Sequence, residues 1–341
     1  MQYNFRKTKL WIKYFYMIYV NYYIRCLTKN LNGVVYLKVA AVNFDAVFAD
    51  IDENIKQVNN YVKQASDLGI ELILFPEFFT SSMGRDEAML DVAIKSGHVE
   101  RALLQLASQY HIIIGGSYIL FDGKDSYNLF QLVFPDGNIF SHKKDIPTIV
   151  ENCYYTYGDE NNILKTPIGD IGVALCWEMN RYDTLKRLSE KVDIVLAGSC
   201  WEDLREGAPL RKYNRQFALQ TPVTFAKLLH VPVIHSNHCG KVTAVDFYDE
   251  KNPFAFQMVG AAQIIDESGK VIAKRSFYEG EGMVISEISW GEGKRKPADI
   301  DYNKYWIEDM QEPYIYAWEN YSSICKDYYN NVAKPYYLAR G

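Results

Sequence analysis

From Val34 onward, short apolar runs ended by Gly, Pro or Asp alternate with longer stretches in which apolar residues recur every three or four positions. A short run that is apolar throughout reads as a strand buried on both faces, and a 3.6-residue recurrence reads as a helix lying on that sheet. Alternating the two confines the chain to an α/β fold. Residues 35–44 read as the first buried strand, ended by Asp45. Asp50 or Asp52 can cap a helix carrying Ile55, Val58, Val62, Ala65 and Leu68 on one face, and Gly69 supplies its stop. Residues 71–75 make a short strand that Pro76 breaks, residues 99–110 a helix and residues 111–120 a strand. Residues 127–134 and 138–142 flank Pro135-Asp136-Gly137, a turn by its chemistry, and are expected to form a hairpin. Further strands are expected over 171–175, 192–198 and 231–236, with a helix from about 181 to 190. Residues 256–265 and 271–275 read as a second hairpin, and 282–288 as the closing strand.

With 341 residues, 48% of them apolar, the chain can bury one large core, and α/β folds of this size often form one domain. One domain is expected over 34–290. With a net charge of −5, nothing in the composition points to the concentrated basic face of a nucleic-acid binder, and no nucleic-acid partner is expected. Cys26, Cys153, Cys176, Cys200, Cys239 and Cys325 form no dense or paired framework, which fits reduced thiols and a cytoplasmic location. Residues 1–33 carry Lys and Arg around a Tyr-rich stretch interrupted by Lys13, too short for a membrane span and without a small-residue cleavage site. They read as an extension for which membrane contact is not expected. Residues 291–341 are rich in Tyr and Trp, and rings such as Tyr305, Trp306, Tyr314 and Trp318 are expected to pack on the domain or on a second subunit.

Three features follow strands, where α/β sheets present their ligands. Leu74-Phe75-Pro76-Glu77-Phe78-Phe79 sets a carboxylate among aromatics; desolvation raises the pKa of such a group and suits it to proton transfer near neutrality. His142-Lys143-Lys144-Asp145-Ile146-Pro147-Thr148 offers an ammonium to stabilise an oxyanion, with Glu151 close by to hold it. Gly172-Val173-Ala174-Leu175-Cys176-Trp177-Glu178 puts a cysteine between a buried strand and a helix start, where free N–H groups lower a thiol pKa. Taken singly, each has a plain structural reading: a surface Glu, a solvated lysine pair, a packed Cys.

In this order and spacing the three motifs resemble the nitrilase superfamily of carbon–nitrogen hydrolases, over about residues 36–290. The resemblance implies a four-layer α-β-β-α sandwich with Glu77 as general base and acid, Lys144 as the lysine of the triad and Cys176 as the nucleophile. Lys143 also aligns, but Lys144 keeps the Lys-x-x-Pro spacing and shares its strand face with His142. Glu151 is implied as the carboxylate that positions the lysine and the substrate. By their places after Cys176, at the end of the next strand and on the Glu151 loop, Trp177, Trp201, Tyr154 and Tyr155 are expected as rings around the acyl pocket, with packing in the core as the alternative. No metal or organic cofactor is implied, and a homodimer or higher homo-oligomer is.

The expected reaction is hydrolysis of a small-molecule amide or N-carbamoyl compound through a cysteine thioester. Trp177-Glu178 after the cysteine matches true nitrilases, whereas Met179-Asn180-Arg181-Tyr182 lies closer to the amidases, so a nitrile substrate is the first alternative. An N-acyltransferase or amide synthase using the same thioester, and an inactive interaction protein of the same fold, are the others. His235-Ser236-Asn237-His238-Cys239 offers metal-ligating residue types but no accompanying CxxC or HExxH, and reads as a segment beside the active site.

Overall fold

The computed structural model describes residues 34–158, 163–244, 254–291 and 295–341. The extension expected over 1–33 lies outside the described residues. In chain order the strands are β1 (Val34–Phe44), β2 (Leu72–Leu74), β3 (Ile113–Phe121), β4 (Ser126–Val133), β5 (Ile139–Lys143), β6 (Leu164–Thr166) and β7 (Gly169–Leu175). They continue with β8 (Ile194–Ser199), β9 (Val233–His238), β10 (Lys241–Ala244), β11 (Phe254–Gln257), β12 (Gln263–Ile265), β13 (Val271–Lys274) and β14 (Gly282–Gly291).

The strand order is β5-β4-β3-β2-β1-β9-β8-β7-β6, with β14 antiparallel on β1 and the β12–β13 hairpin on β9. β1 joins the two halves only through Asn43 and Phe44, which pair with Asn237 and His238. Its earlier residues pair with β2 and β14, so the halves fold over one another as two stacked sheets.

Side-chain alternation sorts the core into three apolar layers, because successive residues of a strand face opposite ways. Val35, Leu37, Val39 and Ala41 of β1 meet Ile171, Val173, Leu175, Ile194 and Leu196 of the other half in the layer between the sheets. Ala40, Val42 and Phe44 face outward onto the helices Ile51–Asp67, Ala88–Lys95 and Val99–Tyr110. On the opposite side, Ala174, Val195 and Ala197 pack under Tyr182–Leu188 and Arg211–Leu229. The result is a four-layer α-β-β-α sandwich.

Local chemistry accounts for the boundaries. Asp50 caps the first helix, its carboxylate accepting from the Glu53 N–H at 3.0 Å. The Pro135-Asp136-Gly137 turn joins β4 to β5 as an antiparallel hairpin. The single strand expected over 256–265 is instead two: β11 turns away to pair with β10, and only β12 joins the main sheet. Gly260 and Ala261 both adopt positive φ, which breaks the extended run. The helix Arg211–Leu229 was not legible, since Pro222 sits inside it and reads as a stop. Among the described residues, no helix is long and apolar enough to cross a membrane.

The C-terminal segment returns over both halves. Its Tyr305 carbonyl accepts from the Tyr182 N–H, and the Ile307 N–H donates to Asn180. A helical run over 312–340 then crosses to the first half, where Lys334 pairs with Asp125 and the Tyr337 hydroxyl donates to the Tyr154 carbonyl.

Candidate active site

Glu77 leaves β2 through Pro76, and its path presses the backbone against the end of β8. A Cβ on Gly198 would lie 2.8 Å from the Glu77 nitrogen, so only glycine permits that approach. The Glu77 carboxylate is fully buried. Its Oε1 accepts from Lys144 Nζ at 2.8 Å and from Asn128 Nδ2 at 2.9 Å; its Oε2 accepts from the Cys200 N–H at 3.2 Å. His238 Nε2 lies 2.6 Å from the Glu77 carbonyl oxygen and holds the backbone from behind.

Lys143 and Lys144 follow one another at the end of β5 and therefore point to opposite faces. Lys143 lies over the Tyr127 ring and 3.6 Å from Asp122, partly exposed. Lys144 turns inward, fully buried, onto Glu77, Glu151 Oε2 at 2.7 Å and Thr148 Oγ1 at 3.0 Å. An ammonium has three N–H donors, and all three are engaged. Burial disfavours the charge, but Glu151 and Glu77 outweigh it and raise the Lys144 pKa above its usual value. Glu151 stands in a 3-10 turn, Ile149–Cys153, and its Oε2 also accepts from the Thr148 N–H and the Tyr155 hydroxyl.

Cys176 is buried at the end of β7, with φ at 51°. That left-handed conformation is uncommon for a non-glycine residue and recurs nearby at Phe78 (φ 54°) and Ile149 (φ 45°). Strain thus sits on each of the three loops. The expected helix start is shorter than predicted: a 3-10 turn, Cys176–Asn180, precedes the helix Tyr182–Leu188. No long helix dipole points at the thiol. Burial, followed by Glu77, pushes its pKa well above the usual thiol value, and Lys144 only partly opposes this. The resting group is a thiol that needs a base. Burial raises the Glu77 pKa to about 7 against the pull of Lys144, which suits that carboxylate to the task.

Behind Cys176 lies a buried ionic cluster. Glu178 accepts from the Leu175 N–H at 2.7 Å and the Asp145 N–H at 3.1 Å, and His142 Nε2 lies 3.2 Å away. Arg181 in turn pairs with Asp145. This cluster ties the residue before Cys176 to the residue after Lys144. Burial would raise the Glu178 pKa, but His142 and the two arginines Arg187 and Arg181 bring it well below the carboxylate range.

The thiol opens on a cavity of about 380 Å³. Cys176, Glu151, Trp177, Trp201 and Glu202 line one side, and Tyr314, Tyr321 and Ile324 of the C-terminal segment the other. Trp177 stacks on Trp318 at 5.8 Å and meets the Trp306 ring edge-on at 5.7 Å. Trp201 donates its indole N–H to Asn214, which also accepts from the Tyr314 hydroxyl.

The structure thus brings together Glu77, Lys144, Cys176 and Glu151, with Trp177 and Trp201 at the cavity. Tyr154 and Tyr155 do not line it. The Tyr154 hydroxyl is drawn to the Asp86 N–H and that of Tyr155 to Glu151, so both rings are buried behind the carboxylate. Asn128, Thr148 and the Cys200 N–H were not foreseen as parts of the site. Asn128 alone carried a signal, as an amide in the largely apolar run 127–133, and it shares that signal with Gln131. His235 Nε2 lies 2.9 Å from Ser199 Oγ, and burial lowers the pKa of His235 to about 3 and of His238 to about 4, so both are neutral supports of β9.

A profile of the carbon–nitrogen hydrolases matches residues 38–295. Nitrilase 2 of Arabidopsis thaliana is 25% identical, the match covering 78% of this chain and 84% of that protein. A probable nitrilase of Schizosaccharomyces pombe is 24% identical, with 81% of this chain and 96% of that protein covered. Among solved structures, a carbon–nitrogen hydrolase of Helicobacter pylori superposes with a TM-score of 0.64 at 17% identity, covering 74% of this chain and 89% of that one. A mutant amidase of Nesterenkonia sp. AN1, with the acetamide moiety of fluoroacetamide added covalently at its active-site cysteine, gives a TM-score of 0.61 at 14% identity, covering 76% of this chain and 92% of that one.

Proposed function

The chain belongs to the carbon–nitrogen hydrolase family, and on that premise we propose that it hydrolyses a nitrile or amide through a covalent adduct at Cys176. The observation that carries the proposal is the Lys144 ammonium, clamped between the Glu77 and Glu151 carboxylates beside a buried thiol that opens on a cavity. In this reading Glu77 takes the thiol proton and the sulfur attacks the electrophilic carbon. Proton transfer neutralises Glu77, which weakens its hold on Lys144 and frees an N–H donor as negative charge develops on the substrate. The lysine is thereby released to the transition state by the same step that creates the need for it.

Trp177-Glu178 and the relatives named as nitrilases favour a nitrile. Attack then gives a thioimidate whose nitrogen takes the proton from Glu77. A first water adds to its carbon, ammonia leaves with a further proton, and a thioester remains. A second water, deprotonated by Glu77, releases the acid and restores the thiol. Met179-Asn180-Arg181-Tyr182, closer to the amidase form, supports the second reading, in which attack on an amide reaches the same thioester directly.

Matched nitriles and amides of one acyl group, assayed for ammonia, separate the two readings. Intact mass and peptide mapping during turnover test the adduct itself. Modification at Cys176 is expected; an adduct confined to Cys153, Cys200 or Cys239 overturns the assignment.

A further inference from the structure

One ionisable group in the cavity has no part in the chemistry above. Glu202 stands two residues beyond Cys200, whose N–H holds Glu77, so the end of β8 fixes both the base and this carboxylate. Its backbone is pinned: Asn214 Nδ2 donates to the Glu202 carbonyl at 2.8 Å, and Glu202 bridges to Met258. The side chain is accessible and lines the cavity, yet protein surrounds it closely enough for burial to raise its pKa to about 7, against the pull of Arg85. Among the described residues, none donates a hydrogen bond or ion pair to its carboxylate. Glu151, the other carboxylate of the lining, is already engaged by Lys144, Thr148 and Tyr155.

Resting on the hydrolase reading, we propose that Glu202 recognises the distal end of the substrate, and that the cavity takes a nitrile or amide whose far end carries an ammonium group. Around this space the carboxylates of Glu77, Glu151 and Glu202 stand against the cations Lys144 and Arg85, which leaves a net negative charge, so an added cation meets net attraction and an added anion does not. Trp177, Trp201, Tyr314 and Tyr321 supply ring faces, which attract an ammonium as well as the carbon chain leading to it. Binding would give a carboxylate that faces the cavity without a hydrogen-bond donor the partner it lacks, and a charged contact made inside such a cavity discriminates strongly.

The test uses two nitriles of equal length, one ending in ammonium and the other in methyl, with kcat and KM measured for the full chain and for Glu202→Gln and Glu202→Lys. The parent is expected to favour the ammonium substrate by tenfold or more in kcat/KM. Glu202→Gln should cut that ratio at least tenfold, chiefly through KM, and Glu202→Lys should invert it. A ratio unchanged in Glu202→Gln, or a parent that prefers the methyl compound, overturns the proposal. If the parent turns over neither compound nor the two matching amides, the hydrolase reading has failed, and calorimetric binding of the same pair decides about Glu202. Tighter binding of the ammonium compound to the parent than to Glu202→Gln supports its role; equal binding removes it.

Discussion

At the scale of single residues, the site works by setting burial against charge. Glu77 is desolvated, which raises its pKa to about 7, while Lys144 restrains the rise. A base must be ionised to accept the thiol proton, so kcat/KM for an uncharged substrate should climb with pH through about 7, losing roughly tenfold per unit below it. A limb in the ordinary carboxylate range near 4.5 would show that the desolvation argument is wrong. Lys144→Met removes the restraining charge, so it should lower kcat by roughly 100-fold or more and move that limb upward. Lys143→Met, which loses only contacts with Asp122 and the Tyr127 ring, should stay near the parent. Steady-state profiles of the two variants read out both effects; similar losses in each would refute the inward placement of Lys144.

At the scale of elements, three loops must be held in register although each begins at a different strand. Glu178 links the Cys176 loop to the Lys144 loop through main-chain N–H groups, and the Glu77 carboxylate accepts the Cys200 N–H at the end of β8. The C-terminal segment adds the roof, with Trp318 stacked on Trp177 at an interplanar angle of 18°. Trp318→Ala leaves the triad untouched but opens the cluster of Trp177, Trp306 and Trp318 to water. The ring is only partly buried, so a cost of about 2 kcal/mol is expected, below the range for a fully buried Trp. Thermal or urea unfolding measures it, and kcat/KM for bulky acyl groups should fall alongside. An unchanged midpoint with an unchanged substrate preference would mean that the roof neither stabilises the fold nor shapes the cavity.

For the whole molecule, the sandwich was legible where sequence periodicity and burial agree. β1 over residues 39–42 and β7 over residues 171–175 are apolar on both faces because each stretch is covered twice, and that is what such a run announces. Glu77, Lys144, Glu151 and Cys176 were readable because each follows such a strand or its adjoining turn. What stayed hidden depends on contacts distant in sequence. Nothing local to Asn128 tells of Glu77 on another strand, and nothing near Tyr155 tells that Glu151 draws its hydroxyl out of the cavity. The helix start at Cys176 was overestimated for a related reason. A 3-10 turn there satisfies Leu175 through the Glu178 side chain rather than by extending a regular helix.

The pairing of β1 with β14, from Val34 opposite Gly291 to Asn43 opposite Gly282, carries a consequence for biosynthesis. At about 5–20 residues per second, the ribosome finishes β1 on the order of tens of seconds before β14 exists. Throughout that interval one edge of β1 stays open, a template on which a neighbouring nascent chain can pair. The segment bearing Trp306, Tyr314 and Trp318 emerges later still, after Glu77, Lys144 and Cys176 have all left the exit tunnel. Cys176 is therefore made before the far wall of the cavity on which its thiol opens.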